Sequence, residues 1–438
     1  MNETKELDKT LVEKVGRYRW AVFGILALIY FFVYFHRVSP AVMAGDFTKE
    51  FGISAGALGV LGAAYFYPYA IAQLPSGILA DTWGTRKTVT TFVLIASVGA
   101  FLTGVATNFN MVIVGRVLIG LGVGFVYVPI MRILANWFRV HEFASLTGVL
   151  LAIGNIGALS AAAPLAYLSV MMSWKSVFYI LGGITIILCG LAYLIVRDKP
   201  TDKGWPSVRE IEESEGKIFK EPPARIRVGK ALKTIFGSAR FWPLAVWCFI
   251  LYGSMMTYQG LWGGPYFKDV VGWTKITYGS LLSLVAVGMI VGCPLWGYIS
   301  DKIKSRKKVI MIGSICFTGV WFGLWLSIGS TNYAVYAILN FLFGFFGGNF
   351  IVSYAQVSEL YPREVAGTTT GALNIFFFLG GAVMQQTVSA IIGAYGKVAG
   401  AYPVTAYRSA WLFMAVAMVV ATICAFLSKE KKIIEEKR

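Results

Sequence analysis

Tyr30-Phe-Phe-Val-Tyr-Phe-His-Arg-Val-Ser-Pro40 places His36 and Arg37 inside an apolar run that begins at Trp20 and continues to about Ala44. About 20 apolar residues in a helix cross the hydrocarbon core of a bilayer, so this run is long enough to span one. A cation near the middle of such a helix costs roughly 2.5–3.5 kcal/mol on insertion scales. A side chain that expensive faces a polar cavity or a partner. At helical spacing Tyr30, Tyr34, Arg37 and Ala41 share one stripe, so Arg37 projects from a face already carrying two phenol hydroxyls. A permanently charged fork with five donors suits a carboxylate or a phosphate. The stretch therefore predicts an anion anchor within a membrane.

Composition agrees with the membrane reading. The 438 residues are 57% hydrophobic and 14% charged, with a mean hydropathy of +0.67, whereas soluble domains carry about 25% charged residues. Residues 1–19 are charged, and the apolar run after them is far longer than a signal-peptide core, so no cleavable signal is expected. The formal net charge is +17, yet 31 of the 39 Lys and Arg fall in the tails and in alternate loops. That asymmetry is the positive-inside pattern and predicts both termini in the cytoplasm. It is a topology signal, so nucleic acid is not an expected partner; the lipid bilayer is. Five cysteines lie scattered in apolar segments without C-x-x-C spacing and read as small hydrophobes, not as metal ligands.

Twelve apolar runs predict spanning helices near 20–44, 56–79, 88–107, 110–134, 144–169 and 174–196, then 241–267, 276–300, 308–329, 332–357, 367–394 and 406–428. The expected fold is an all-α membrane protein of two pseudo-symmetric six-helix bundles, 20–196 and 241–428. Between them runs a cytoplasmic linker, 197–240, with a short helix near 207–215 and the turn-rich Glu221-Pro-Pro223; tails occupy 1–19 and 429–438.

A repeat supports the division. Gly77-Ile-Leu-Ala-Asp81-Thr-Trp-Gly-Thr-Arg86-Lys87 recurs as Gly297-Tyr-Ile-Ser-Asp301-Lys-Ile-Lys-Ser-Arg306-Lys307, each time between the second and third helices of its half. Parallel duplication of six helices with a cavity at the junction is a known transporter plan. The motif resembles the signature of the major facilitator superfamily, and the resemblance covers essentially the whole chain. It is complete at 77–87 and lacks its second glycine at 297–307, where Lys304 stands. In physical terms Gly77 and Gly297 permit close helix approach. Asp81 and Asp301 are expected to accept from a neighbouring helix end and to pair with Arg86 and Arg306, latching the cytoplasmic side. A tight charged turn obeying the positive-inside rule also accounts for the arginines, but not for the Asp at a fixed offset.

Arg116-Val-Leu-Ile-Gly120-Leu-Gly122-Val-Gly124 is similar to the superfamily's fourth-helix motif, and Arg116 reads as structural or gating in preference to substrate contact. Arg19-Trp20, Tyr34-Phe-His36-Arg37 and Gln73-Leu-Pro-Ser-Gly77 are similar to the anion:cation symporters, which move sugar acids and other organic anions. That group has Asp-Arg where this chain has His36-Arg37, and often a Glu where the fourth helix here has Val123. Organophosphate antiporters, also similar, add a second arginine in the seventh helix, where Gln259 stands. Nitrate porters use paired arginines. One anchor favours a monocarboxylate over a dianionic phosphate.

No Asp or Glu falls mid-span by this map, so His36 is the candidate for proton coupling. Equally, its ring points about 100° from Arg37 along the helix and simply packs against a neighbour. Further candidates for substrate contact are Tyr65, Tyr127, Asn155, Tyr252, Gln259, Asn349, Tyr354, Asn374 and Gln385, each of which alone is more often an interhelical hydrogen bond. Gly260, Gly263, Gly264 and Pro265 predict a bending seventh helix.

The sequence thus predicts a monomeric secondary transporter in the bacterial inner membrane, moving a small organic anion, with protons, by alternating access. Proton-coupled antiport of drugs or cations, exchange of inorganic or phosphate-ester anions, and a non-transporting receptor are the alternatives. No phosphate-binding loop, zinc spacing or catalytic triad is present, so neither an enzyme nor a cofactor is expected.

Overall fold

The structure is a computed structural model and describes residues 8–215, 228–362 and 365–430. Twelve helices among these are long and apolar enough to cross a membrane. In chain order α1 to α6 are Lys9–Phe51, Ala55–Thr82, Thr85–Gly104, Phe109–Trp137, His141–Met171 and Trp174–Ile195. The second half follows as α7 to α12: Trp242–Val271, Lys275–Ile303, Arg306–Leu326, Tyr333–Glu359, Thr368–Gly393 and Val404–Leu427. The short linker helix forms at Val208–Ser214; Glu221-Pro-Pro223 and the ends of both tails lie outside the described residues.

The helices begin where the sequence supplies caps. Ser54, Asn108, Ser173, Thr274 and Asn332 each accept a backbone N–H at the start of α2, α4, α6, α8 and α10. Helix α1 begins earlier than its apolar run, because Asp8 caps it and Lys9–Arg19 continues it as a polar extension.

The repeated turn shows why its glycine matters. Gly84 sits at φ 94° between α2 and α3, and Lys304, its counterpart before α9, is forced to φ 55°. Each third helix of a half also receives a carboxylate at its N-terminus from the chain just past the sixth. The Arg86 N–H donates to Asp198 Oδ1 at 2.5 Å, and the Lys307 N–H donates to Glu430 Oε2 at 2.9 Å.

The expected Asp81–Arg86 pair is not formed. Asp81 pairs with Arg132 of α4, while Arg86 Nε donates to the Tyr193 carbonyl at the end of α6. Arg132 lies across from Asp81 on the adjacent helix, whereas Arg86 starts α3 and leans toward α6. In the second copy Arg306 does meet Asp301 at 2.5 Å, and also Glu359 of α10 at 3.1 Å. Both clusters therefore lie within their own halves.

Close crossings explain the glycines of α4. A Cβ on Gly120 would fall on the Tyr65 backbone of α2, one on Gly124 would meet Ala72 and Tyr69, and one on Gly122 would meet Phe92 and Ala96 of α3. The alternate spacing thus serves two neighbours, one on each side of the helix.

The halves meet along α1–α7, α2–α11 and α5–α8. Lys275 Nζ donates to Asp46 Oδ2 at 2.6 Å, the Ala163 N–H donates to Ser283 Oγ at 3.0 Å, and Lys397 Nζ donates to the Ile53 carbonyl at 3.4 Å. These three lie toward the face opposite the termini. The α2–α11 seam runs from Gly59 against Ser389 through Tyr69 against Phe378, with ring centroids 3.9 Å apart, to Asn374 and Gln73. The molecule is closed on that opposite face.

Candidate functional site

Arg37 is 3% exposed, at the junction of the two halves. Its Nη1 donates to the Tyr252 hydroxyl of α7 at 2.8 Å. Its guanidinium lies 4.3 Å from the Tyr34 ring centroid, 5.3 Å from that of Tyr69 and 5.2 Å from that of Phe378. Its Nε is buried without a hydrogen-bond partner, and no carboxylate forms an ion pair with it among the described residues. Such ring contacts contribute about 0.5–2 kcal/mol each. They hold the charge in place but do not neutralise it.

The group borders a central cavity with about 690 Å³ of atom-free space. From the first half Tyr30, Tyr34, Tyr127 and Asn155 line it, and from the second half Tyr252, Gln259, Tyr354 and Asn374 do. Gln259 lies in a wide π-helical turn, Tyr258–Trp262, and a second such turn, Phe267–Val271, follows in the same helix. The glycine-rich segment Gly263–Tyr266 between them is α-helical, so α7 runs on through two changes of pitch. Gln259 Nε2 and Asn155 Oδ1 are buried without partners. Asn374 is engaged, accepting from the Tyr354 hydroxyl at 2.6 Å and donating to Gln73 Oε1 at 3.3 Å.

Three predicted contact residues do not line the cavity. Tyr65 donates its hydroxyl to the Val33 carbonyl at 3.2 Å. Asn349 Nδ2 reaches the Ile310 carbonyl at 3.4 Å, in the packing of α9 on α10. Gln385 Nε2 donates to the Met256 carbonyl at 2.8 Å, just before the first wide turn of α7. All three serve backbone carbonyls of neighbouring helices.

His36 also stands away from the cavity; it is 1% exposed, and neither ring nitrogen has a partner. Its carbonyl explains Arg116. Pro40 has no N–H to close the helical bond to His36, and Arg116 Nη1 donates to that carbonyl at 2.8 Å. The Arg116 guanidinium lies 4.8 Å from the Tyr65 ring centroid and does not line the cavity.

Sequence reading missed Tyr69 as a cavity residue, along with Met256, Met289, Phe350, Phe377 and Phe378. Tyr65, Tyr69 and Gln73 recur every four residues in α2, a stripe that marks one face. The apolar members carry no such signal, because one more Phe or Met in a spanning helix is ordinary.

This fold and this cavity define a class. The sequence model of the Major Facilitator Superfamily matches residues 26–385, and the chain belongs to that family. It is a multi-pass membrane transporter, not an enzyme. It is 25% identical to the probable sulfoacetate transporter SauU of Cupriavidus necator, over 86% of this chain and 88% of that one. It is 25% identical to the D-galactonate transporter of Escherichia coli O6:H1, over 87% and 91%, and 24% identical to a probable hexose phosphate transport protein of Chlamydia trachomatis, over 89% and 88%. Among solved structures, a bacterial homologue of the lysosomal transporter Spinster superposes with a TM-score of 0.71 at 17% identity, over 94% and 96%. The nucleoside transporter NupG superposes with a TM-score of 0.71 at 12% identity, over 93% and 98%. At those identities the likeness speaks for the fold alone.

Proposed function

We propose that this transporter moves a small organic anion by alternating access, with Arg37 as the anchor for its anionic group. One observation carries the reading: a buried guanidinium at the junction of the halves, without a carboxylate partner among the described residues, beside a cavity. The cargo brings the missing negative charge. Relatives named for sulfoacetate, which carries a sulfonate and a carboxylate, and for D-galactonate, which carries one carboxylate, support an organic anion as the cargo. Gln259, which lines the cavity with its Nε2 buried and without a partner, supports a second donor to the same group or its neighbour. A proton accompanies the anion, so uptake runs down the inward proton gradient. The transporter works as a monomer in the bacterial inner membrane, with both termini in the cytoplasm; the basic linker and tails support that orientation.

The test is uptake by purified protein in liposomes, using labelled carboxylates, sulfonates, sugar acids and phosphate esters, with and without an acidic exterior. Arg37→Ala is expected to abolish uptake of every anion carried by the wild type; an anion still carried at the wild-type rate would refute the anchor. His36→Gln is expected to remove the stimulation by external acid while sparing anion exchange. Unchanged stimulation would take the proton step away from this residue.

A further inference from the structure

The two walls of the cavity differ in kind. The wall from the first half is mainly polar, with the Arg37 guanidinium, the amides of Gln73 and Asn155, and the rings of Tyr30, Tyr34 and Tyr127 set beside Val38, Leu151 and Ala158. The facing wall carries Met256, Met289, Phe350, Phe377 and Phe378, which offer no N–H or O–H to a ligand. Its polar exceptions are largely committed. Tyr252 accepts from Arg37, and Tyr354 donates to Asn374, whose own amide donates to Gln73. Tyr252 keeps its own O–H to donate, and Gln259 Nε2 is buried without a partner, so these two are the donors left on that side. Aromatic packing continues behind this wall: the Phe350 and Phe377 ring centroids are 5.7 Å apart, and both rings pack on Tyr252.

We infer that the cargo is an amphipathic monoanion: one carboxylate or sulfonate head at Arg37, and an aromatic or branched apolar body against Met256, Met289, Phe350, Phe377 and Phe378. This rests on the anion reading above and adds the body of the substrate to it. A polyhydroxylated body would turn several hydroxyls toward side chains that cannot bond them, and each unpaired hydroxyl loses about tenfold or more in affinity. An apolar body gains there, by about fourfold for each methylene removed from water. Affinity is therefore expected to climb through acetate, propionate, butyrate and 3-phenylpropionate, and to be poor for D-gluconate.

The experiment is a thermal-shift titration of the purified full chain with that series, with D-gluconate and with the neutral 3-phenylpropionamide, followed by competition in liposome uptake. The expected result is stabilisation that rises along the series, with little effect from D-gluconate or the amide. D-gluconate binding as tightly as 3-phenylpropionate, or tighter, would overturn the apolar body while leaving the anion anchor standing. The amide binding as tightly as the acid would overturn the anchor itself. Phe350→Asn and Met289→Gln are expected to weaken 3-phenylpropionate about tenfold and acetate much less. Equal loss for both ligands, in variants whose unliganded melting temperature is unchanged, would count against the assignment of this wall.

Discussion

The cost of burying Arg37 bears on stability as well as on transport. An uncompensated charge at this depth works against insertion by roughly 2.5–3.5 kcal/mol, and its contacts with Tyr252 and three rings offset a sum of that order. Arg37→Met keeps the length and removes the charge, so the unliganded variant is expected to melt no lower than wild type. Its stabilisation by anions should vanish, a loss of about tenfold to a hundredfold in affinity for a charge-assisted bond. A melting temperature well below wild type would mean that the guanidinium is structural. Arg116 predicts the opposite pattern. It supplies the donor that Pro40 withholds from the His36 carbonyl, and Arg116→Met leaves that carbonyl only the long bond from the Ser39 hydroxyl, 3.4 Å, a loss of about 1.5–3 kcal/mol for a charged donor. The variant should melt lower while any protein that survives still responds to anions; a full Tm with a lost anion response would place Arg116 at the cargo instead.

Among the elements, the helices were the most legible feature, since twelve apolar runs mark the twelve spans, although α1 extends beyond its run at both ends, from Lys9 to Phe51. Contacts were less so. Asp81 lies five residues from Arg86 in sequence but beside Arg132 in space, and no spacing rule reveals a partner on a helix fifty residues later. The polar cavity stripe of α1 was legible because polar groups are rare there, while Phe377 and Phe378 were lost among other aromatics. The duplicated turn combines both cases. Its missing glycine was visible as Lys304, and the structure adds that the position needs a left-handed backbone, φ 55°. Such a conformation costs a non-glycine residue about 1–2 kcal/mol, so Lys304→Gly is expected to raise the melting temperature, with a fall counting against strain. The crossing of α4 on α2 gives the converse. Gly120→Val drives a side chain into the Tyr65 backbone, at about 1–3 kcal/mol by overpacking, whereas nothing stands within 4 Å of a Cβ on Gly148. The first should lower the melting temperature and Gly148→Ala should not.

For the whole molecule, the question is what holds one face shut. Hydrogen bonds between the halves among the described residues include Asp46–Lys275, Ala163–Ser283 and Ile53–Lys397 toward the face opposite the termini, with Arg37–Tyr252 and Gln73–Asn374 at the cavity. The Asp81 and Arg306 clusters close nothing in this state, since each stays within one half. In alternating access the contacts of the closed face must break as the other face forms its own, so Asp46–Lys275 is the ionic part of the barrier to opening. Its side chains are 28% and 16% exposed, so its net worth is modest, about 1 kcal/mol, and falls as salt rises. A bias of that size still changes the ratio of the two states about fivefold. Asp46→Asn and Lys275→Met are each expected to raise the labelling rate of a cysteine placed in the cavity by an impermeant thiol reagent applied from the closed face, by about that factor. The swap Asp46→Lys with Lys275→Asp should return the rate toward wild type. Labelling that ignores these variants would assign the closed state to the remaining contacts of the α1–α7, α2–α11 and α5–α8 seams.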